Sequence, residues 1–342
     1  MPYMTETSRL SGLDIIKVLA TFFVILLHVN GYAKGAIGYD NLPDYCQLVY
    51  YFIEALAYPA IHLFVLAGCW VLSEKNPRKY HYIYIYIETL GTTLLGLVLC
   101  LGLNYNIGLK DYFSCLLPFT FRAYWFVTDY LIFMACIPYL NKLVSDLSQS
   151  QLLKVLGIFS FVIVLLPTIG VYSQGTEQIS LFIFLYLLIV VIKYQRIIIG
   201  FKVGFLLWLL SFITLFLSPF LIVLVSNGIN SDYFFKYNSI LVVGEAIGYF
   251  IMLYKLKPTP NICKIIKWFS DFSLICYLLH MHPVLKQHYL EMSFFKELNT
   301  ITALSYCINI LFISLGVYLF GIIWGIPFCK LSKTIASKFT SS

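Results

Sequence analysis

The sequence predicts an all-α, polytopic transmembrane helix bundle of about ten spans. Two observations carry this reading. First, 60% of the 342 residues are hydrophobic and only 11% charged, with a mean hydropathy of +0.85, which an ordinary soluble domain does not show. Second, apolar stretches recur, each near the roughly 20 residues that cross a hydrocarbon core of about 30 Å. The first five fall at 13–32, 48–72, 82–103, 123–141 and 152–172. The remainder fall at 177–195, 203–225, 236–255, 267–288 and 301–326, the sixth, eighth and ninth being the most polar or the least sharply bounded. No small-residue cleavage site follows the first stretch, which argues against a removable signal peptide. No internal repeat or extra soluble domain is visible, and residues 1–342 read as one membrane domain.

Loop charge orients the bundle. Sixteen lysines and arginines lie on the side of the N-terminus, from Arg9 through Lys75, Arg78, Lys79 and Arg196 to Lys338, against six on the other side, from Lys34 to Lys296. The excess of cations marks the cytoplasmic face, so both termini are expected there. The net charge of +7 then follows from topology and anionic lipid, and no nucleic-acid partner is implied. The nine cysteines are scattered without a C-x-x-C pair, so neither a zinc site nor a disulfide framework is expected. Cys46 and Cys115, both on the outer side, are the one pair open to bridging.

Chemistry must therefore come from polar residues within the spans or at their edges, where such residues are costly and usually functional. Lys17 and His28 stand eleven residues apart in the first span, within about 20° of one helix face, and Asp14 and Thr21 share that face. Lys17 lies shallow enough to snorkel to the surface or to pair with Asp14 as a structural ion pair. His28 lies about 22 Å along the helix. It is either a packing histidine or, held neutral by burial, a general base. Glu54, His62, Glu88, Asp129, Glu245 and His280 are the other candidates, and any of them also serves to join helices. An ion pair with Lys17 or a neighbouring lysine is the default for Glu88. Asp129, just after Trp125, suits either the membrane interface or a substrate contact. His280 and His282, two apart on a helix, point apart, so no metal site is expected.

The run from Arg9 to His28, with Gly12-Leu13-Asp14 ahead of Lys17, resembles the opening of the integral-membrane acyltransferase type 3 family. Three further segments are similar in order and spacing: His62-Leu-Phe-Val-Leu-Ala-Gly68, Tyr124-Trp125-Phe126 with Pro138, and Ser270 to His280 with Tyr277 and Pro283. One departure is evident. Many members carry Arg-x-x-Arg at the start of the third span, where this chain has Arg78-Lys-Tyr-His81.

The resemblance implies transfer of an acyl group, by default acetyl from cytoplasmic acetyl-CoA, to a hydroxyl of a bacterial surface polysaccharide or its lipid-linked precursor. It implies a plasma-membrane enzyme with no permanently bound cofactor. On this reading His28 is catalytic, as general base or as acyl carrier. Lys17, Arg78 and Lys79 bind the donor's phosphates. Trp125, Asp129 and His280 contact the acceptor, although Trp125 also suits an interfacial anchor. The eleven-residue spacing advances about 16 Å along a helix, comparable with the pantetheine arm between the charged nucleotide of CoA and its thioester. The competing expectations are a polysaccharide exporter or solute carrier, which would use midplane charges in paired halves with interrupted helices, and a membrane scaffold. No second copy of the Lys17–His28 pattern occurs later in the chain.

Overall fold

The computed structural model describes residues 10–37, 43–171, 178–194, 199–225, 231–286 and 302–340. Arg9, Arg196 and Lys296 of the charge count, and the span limits at 172, 177, 195, 287–288 and 301, lie outside them. All regular structure among the described residues is helical. In chain order the helices are α1 (Ser11–Ile37), α2 (Asp44–Ala57), α3 (Ala60–Leu72), α4 (Lys79–Gly102), α5 (Leu109–Leu116) and α6 (Trp125–Asp146). α7 (Gln149–Thr168) follows, its middle widening into π-helical turns at Ser160–Leu165, then α8 (Ile179–Tyr194), α9 (Phe201–Val225) and α10 (Ile240–Leu253). α11 (Pro260–Ser270), α12 (Ser273–His280) and α13 (Ala303–Lys338) complete the set.

Among the described residues seven segments are long and apolar enough to cross a membrane: α1, α2 with α3, α4, α6, α7, α9 and α13. Two shorter apolar helices, α8 and α10, correspond to the expected sixth and eighth spans. The chain is thus a multi-pass membrane protein. Local chemistry sets the breaks. Pro59 has no N–H to continue α2 and instead opens α3. Pro260 starts α11 behind Thr259, where a missing N–H costs nothing. Ser148 and Gln151 cap each other at the start of α7.

The expected ninth span, 267–288, is not one helix. α11 ends at Ser270 and α12 resumes at Ser273, so a short half-helix enters the bundle and stops at His280. The carboxylate of Asp271 at the seam is 3.1 Å from Lys267 and 3.8 Å from Lys333 of α13. His282 therefore lies beyond the helix rather than on it. Its Nε2–H donates to Thr93 O at 3.0 Å, and its Nδ1 accepts from the backbone N–H groups of Val284 and Leu285. The ring lies where a Cβ on Gly96 would sit, 2.3 Å from its Nε2.

α1 is the hub and packs against α2, α3, α10, α11, α12 and α13. Its C-terminal half is fixed by polar contacts: Asn30 Nδ2 donates to Glu54 Oε1 at 2.9 Å, and Tyr306 OH donates to Asn30 Oδ1 at 3.0 Å. The Lys34 ammonium, buried, stands 4.2 Å over the Tyr50 ring. His62 donates Nε2–H to Tyr237 O at 2.7 Å. Glu88 is fully enclosed, with Cys329 Sγ donating to its Oε1 at 3.0 Å, and among the described residues no lysine stands in direct ion-pair contact with it, Lys333 acting on it only from further away. Glu245 is likewise enclosed. Cys46 and Cys115 are both free thiols, in α2 and α5.

Where lipid supplies no hydrophobic drive between helices, close backbone approach does the work. α9 and α10 meet at Gly204 and Gly248. A Cβ on Gly248 would lie 2.6 Å from Trp208 N and 2.8 Å from Gly204 O, with no flexible atom to yield. Gly248→Val is expected to destabilise the fold by about 1–3 kcal/mol, measured as a lower unfolding temperature in detergent.

Candidate functional site

α1 is unbroken from Ser11 to Ile37, so Asp14, Lys17, Thr21 and His28 do share one face. Each is held locally. Asp14, 4% exposed, accepts a hydrogen bond from Ser270 Oγ at 2.9 Å, tying α1 to the end of α11. Thr21 Oγ1 donates back to Lys17 O at 2.7 Å. Lys17, half-buried on the same face, borders the space beside the helix.

That space is a cavity of about 710 Å³ at the end of the bundle where α1 begins. Its mouth carries Lys17, Lys75, Arg78, His81 and Lys333 against the single carboxylate of Asp271. Its inner wall is aromatic: Phe126, Tyr130 and Tyr277. Arg78, with Lys79 and Tyr80, also borders an adjoining recess of about 500 Å³ closed by Phe339 and Thr340. Arg78 precedes the first turn of α4, so its guanidinium and the N-terminal end of the helix present positive charge together. The lining thus grades from cationic at the surface to aromatic within. An elongated ligand with an anionic head and a neutral tail matches that gradient.

Beyond the aromatic wall lie two imidazoles. The Tyr277 ring is 5.6 Å from that of His280, and His280 is 5.1 Å from His28 between ring centroids. The half-helix α12 delivers His280 to this position. His280 is 3% exposed, whereas His28 is only half-buried. His280 Nδ1 lies 2.9 Å from Cys276 O, and His28 Nδ1 lies 2.7 Å from Val24 O and 3.3 Å from His280 Nε2. A carbonyl oxygen only accepts, so both Nδ1 atoms carry the proton in the neutral rings. His28 Nε2 then holds the lone pair, and it has no hydrogen-bond partner among the described residues. That nitrogen can take a proton or attack a carbonyl.

The structure therefore brings Lys17 and Arg78 to one cavity and places Lys79 at its adjoining recess. It seats His280 on His28. Asp129 and Trp125 stand elsewhere on α6. Asp129, 2% exposed, accepts from Arg122 Nη2 at 2.9 Å and from the Gln178 N–H at 3.3 Å. Trp125 packs on Tyr237 at 5.7 Å and edge-on to Phe126. Sequence reasoning passed over Lys75 and Lys333, which registered only as topology charges, and Tyr130. The aromatic i, i+4 pair of Phe126 and Tyr130, stacked at 5.8 Å, was a readable signal for the last. Among the described residues no three metal-type side chains converge.

A family model described as an acyltransferase domain matches residues 10–331 of the chain. No curated protein and no solved structure matches it.

The Arg122–Asp129 contact, with Arg122 36% and Asp129 2% exposed, carries its own test. Arg122→Ala leaves a buried carboxylate without its cation and should cost about 2 kcal/mol, less than a fully enclosed pair. Asp129→Asn should cost less than that, since its amide still accepts from Gln178. Unfolding of the purified variants in detergent measures both.

Proposed function

Because the chain belongs to the acyltransferase type 3 family, we propose that it is a membrane O-acyltransferase moving acetyl from cytoplasmic acetyl-CoA to a hydroxyl of a bacterial surface polysaccharide or its lipid-linked precursor. One observation supports this most: the same unbroken helix carries a lysine into a cation-rimmed cavity and, about 16 Å further on, an imidazole with a free, reachable Nε2.

On this reading Lys17, Lys75 and Arg78, with Lys79 alongside, hold the phosphates of CoA at the cytoplasmic surface. The pantetheine arm runs inward past Tyr130 and Tyr277 toward the histidines. The acceptor hydroxyl approaches His28 from the outer side, so the nucleotide never crosses the membrane. His28 Nε2 removes the hydroxyl proton as the oxygen bonds to the thioester carbonyl carbon. The C–S bond then breaks, and the departing sulfur receives the proton from Nε2, leaving ester, free CoA thiol and neutral histidine. Lining the route with aromatic rings keeps water from competing as acceptor. Trp125 stacks on a sugar ring in this arrangement, while Asp129 acts through Arg122 by fixing the start of α6.

Transfer of radiolabelled acetyl from acetyl-CoA to the polysaccharide of membranes expressing each variant tests the assignment. His28→Ala should lose about 10²–10⁴-fold in rate, with insertion and folding intact. Lys17→Ala should raise the KM for acetyl-CoA about tenfold, which is 1.4 kcal/mol of donor binding, with kcat nearly unchanged. Wild-type labelling by His28→Ala would sink the catalytic role. No labelling by the wild type, with polysaccharide present, would sink the transferase reading.

A further inference from the structure

We propose that His280 is the positioning residue for His28: its Nε2 lone pair is the second acceptor of the His28 Nδ1–H, fixing the ring and stabilising the cation that forms during transfer. This rests on the transferase reading above and assigns His280 a place behind the reacting imidazole, not in contact with the acceptor.

The hydrogen bonds of the pair permit one neutral proton arrangement. Cys276 O, 2.9 Å away, takes the proton of His280 Nδ1, which leaves Nε2 of that ring unprotonated. Val24 O, 2.7 Å away, takes the proton of His28 Nδ1. The 3.3 Å contact between His28 Nδ1 and His280 Nε2 is then a shared donor facing a lone pair. A proton on His280 Nε2 would instead set two donors against each other, so His280 stays an acceptor. A base whose far nitrogen is oriented by a third group is the arrangement that activated nucleophiles use. Here a neutral imidazole and a backbone carbonyl take the part usually played by a carboxylate, which avoids burying an anion in the bilayer.

When Nε2 takes the acceptor's proton, positive charge spreads over the His28 ring and makes Nδ1–H a stronger donor. The contact to His280 then shortens and strengthens. Two further features favour the cation. His280 closes the last turn of α12, so the negative end of that helix lies beside His28. The site is enclosed by helices, where such interactions are little screened. Tyr124 OH donates to Leu278 O at 2.9 Å, and the Tyr277 ring stands edge-on to His280. These contacts hold α12 at the depth the pairing needs. Among the described residues nothing else consumes the Nε2 lone pair of His280.

Two substitutions separate acceptor from packing. His280→Phe keeps the ring and removes the lone pair; His280→Gln restores an acceptor at the place of Nε2. In the acetyl-transfer assay, His280→Phe should lower kcat about 10–100-fold with the KM for acetyl-CoA within about twofold, and His280→Gln should recover most of the loss. Equal loss in both variants, or a change confined to KM, would overturn the role. Nitrogen-15 spectra of histidine-labelled protein, with His28 identified by its absence in His28→Gln, supply a readout that needs no activity. The His28 ring should carry its proton on Nδ1, with the proton signal moved upfield in His280→Phe and restored in His280→Gln. An unmoved signal, or a proton on Nε2 in the wild type, overturns the pairing even where transfer is normal. A wild type with the expected spectrum but no transfer would instead count against the transferase reading alone.

Discussion

A polar side chain on a helix inside a bilayer finds no water to satisfy it, so its partner must come from another helix. α1 carries six such residues in one element, and the bundle is arranged as a set of answers to them. Asp14 receives the hydroxyl of Ser270 from α11, His28 meets His280 from α12, and Asn30 joins Glu54 of α2 to Tyr306 of α13. Lys34 lies over the Tyr50 and Tyr51 rings, and Thr21 turns back on its own backbone. Lys17 lines the large cavity. Helices that are not neighbours in sequence are thereby brought to one axis, and the groups suited to chemistry lie along it in a fixed order.

That order has an electrostatic logic. Four basic side chains ring the cavity mouth, where water and counter-ions stabilise them, and the uncharged aromatic wall follows. The imidazoles lie deepest, as the one titratable pair that can sit there neutral without an ion partner. Around this cavity the charge sits where solvation is cheap, while hydrogen-bond direction, which survives in a dry interior, organises the histidine pair. Glu88 and Glu245 obey the same constraint from the other side, being enclosed within helix contacts and away from the open cavity.

The first span was legible almost entirely. A period of 3.6 residues puts Asp14, Lys17, Thr21 and His28 on one face, and nothing between Ser11 and Ile37 breaks the helix. The loop cation Arg78 was also visible, as was the aromatic run from Tyr124 to Phe126. The division of the ninth span was not. Its residues carry no proline or glycine at the seam, and Asp271 finds one of its cations on α13, 62 positions later, which no local window records. The pairing of His28 with His280 spans 252 positions for the same reason. Asp129 looked available for a substrate because the residue that occupies it, Arg122, sits in a left-handed turn at φ 48° just ahead of α6. Periodicity identifies the face a residue occupies; only the fold says what stands opposite.

The continuity of α1 also limits how the chain can change in length. Between Lys17 and His28 one added or deleted residue would rotate one group about 100° relative to the other and take them off a shared face. A whole added turn would restore the facing but lengthen the separation by about 5.4 Å. Substitution elsewhere in the segment disturbs neither quantity. The helix therefore acts as a measuring rod whose graduation is the spacing itself, which an insertion anywhere between the two groups would upset.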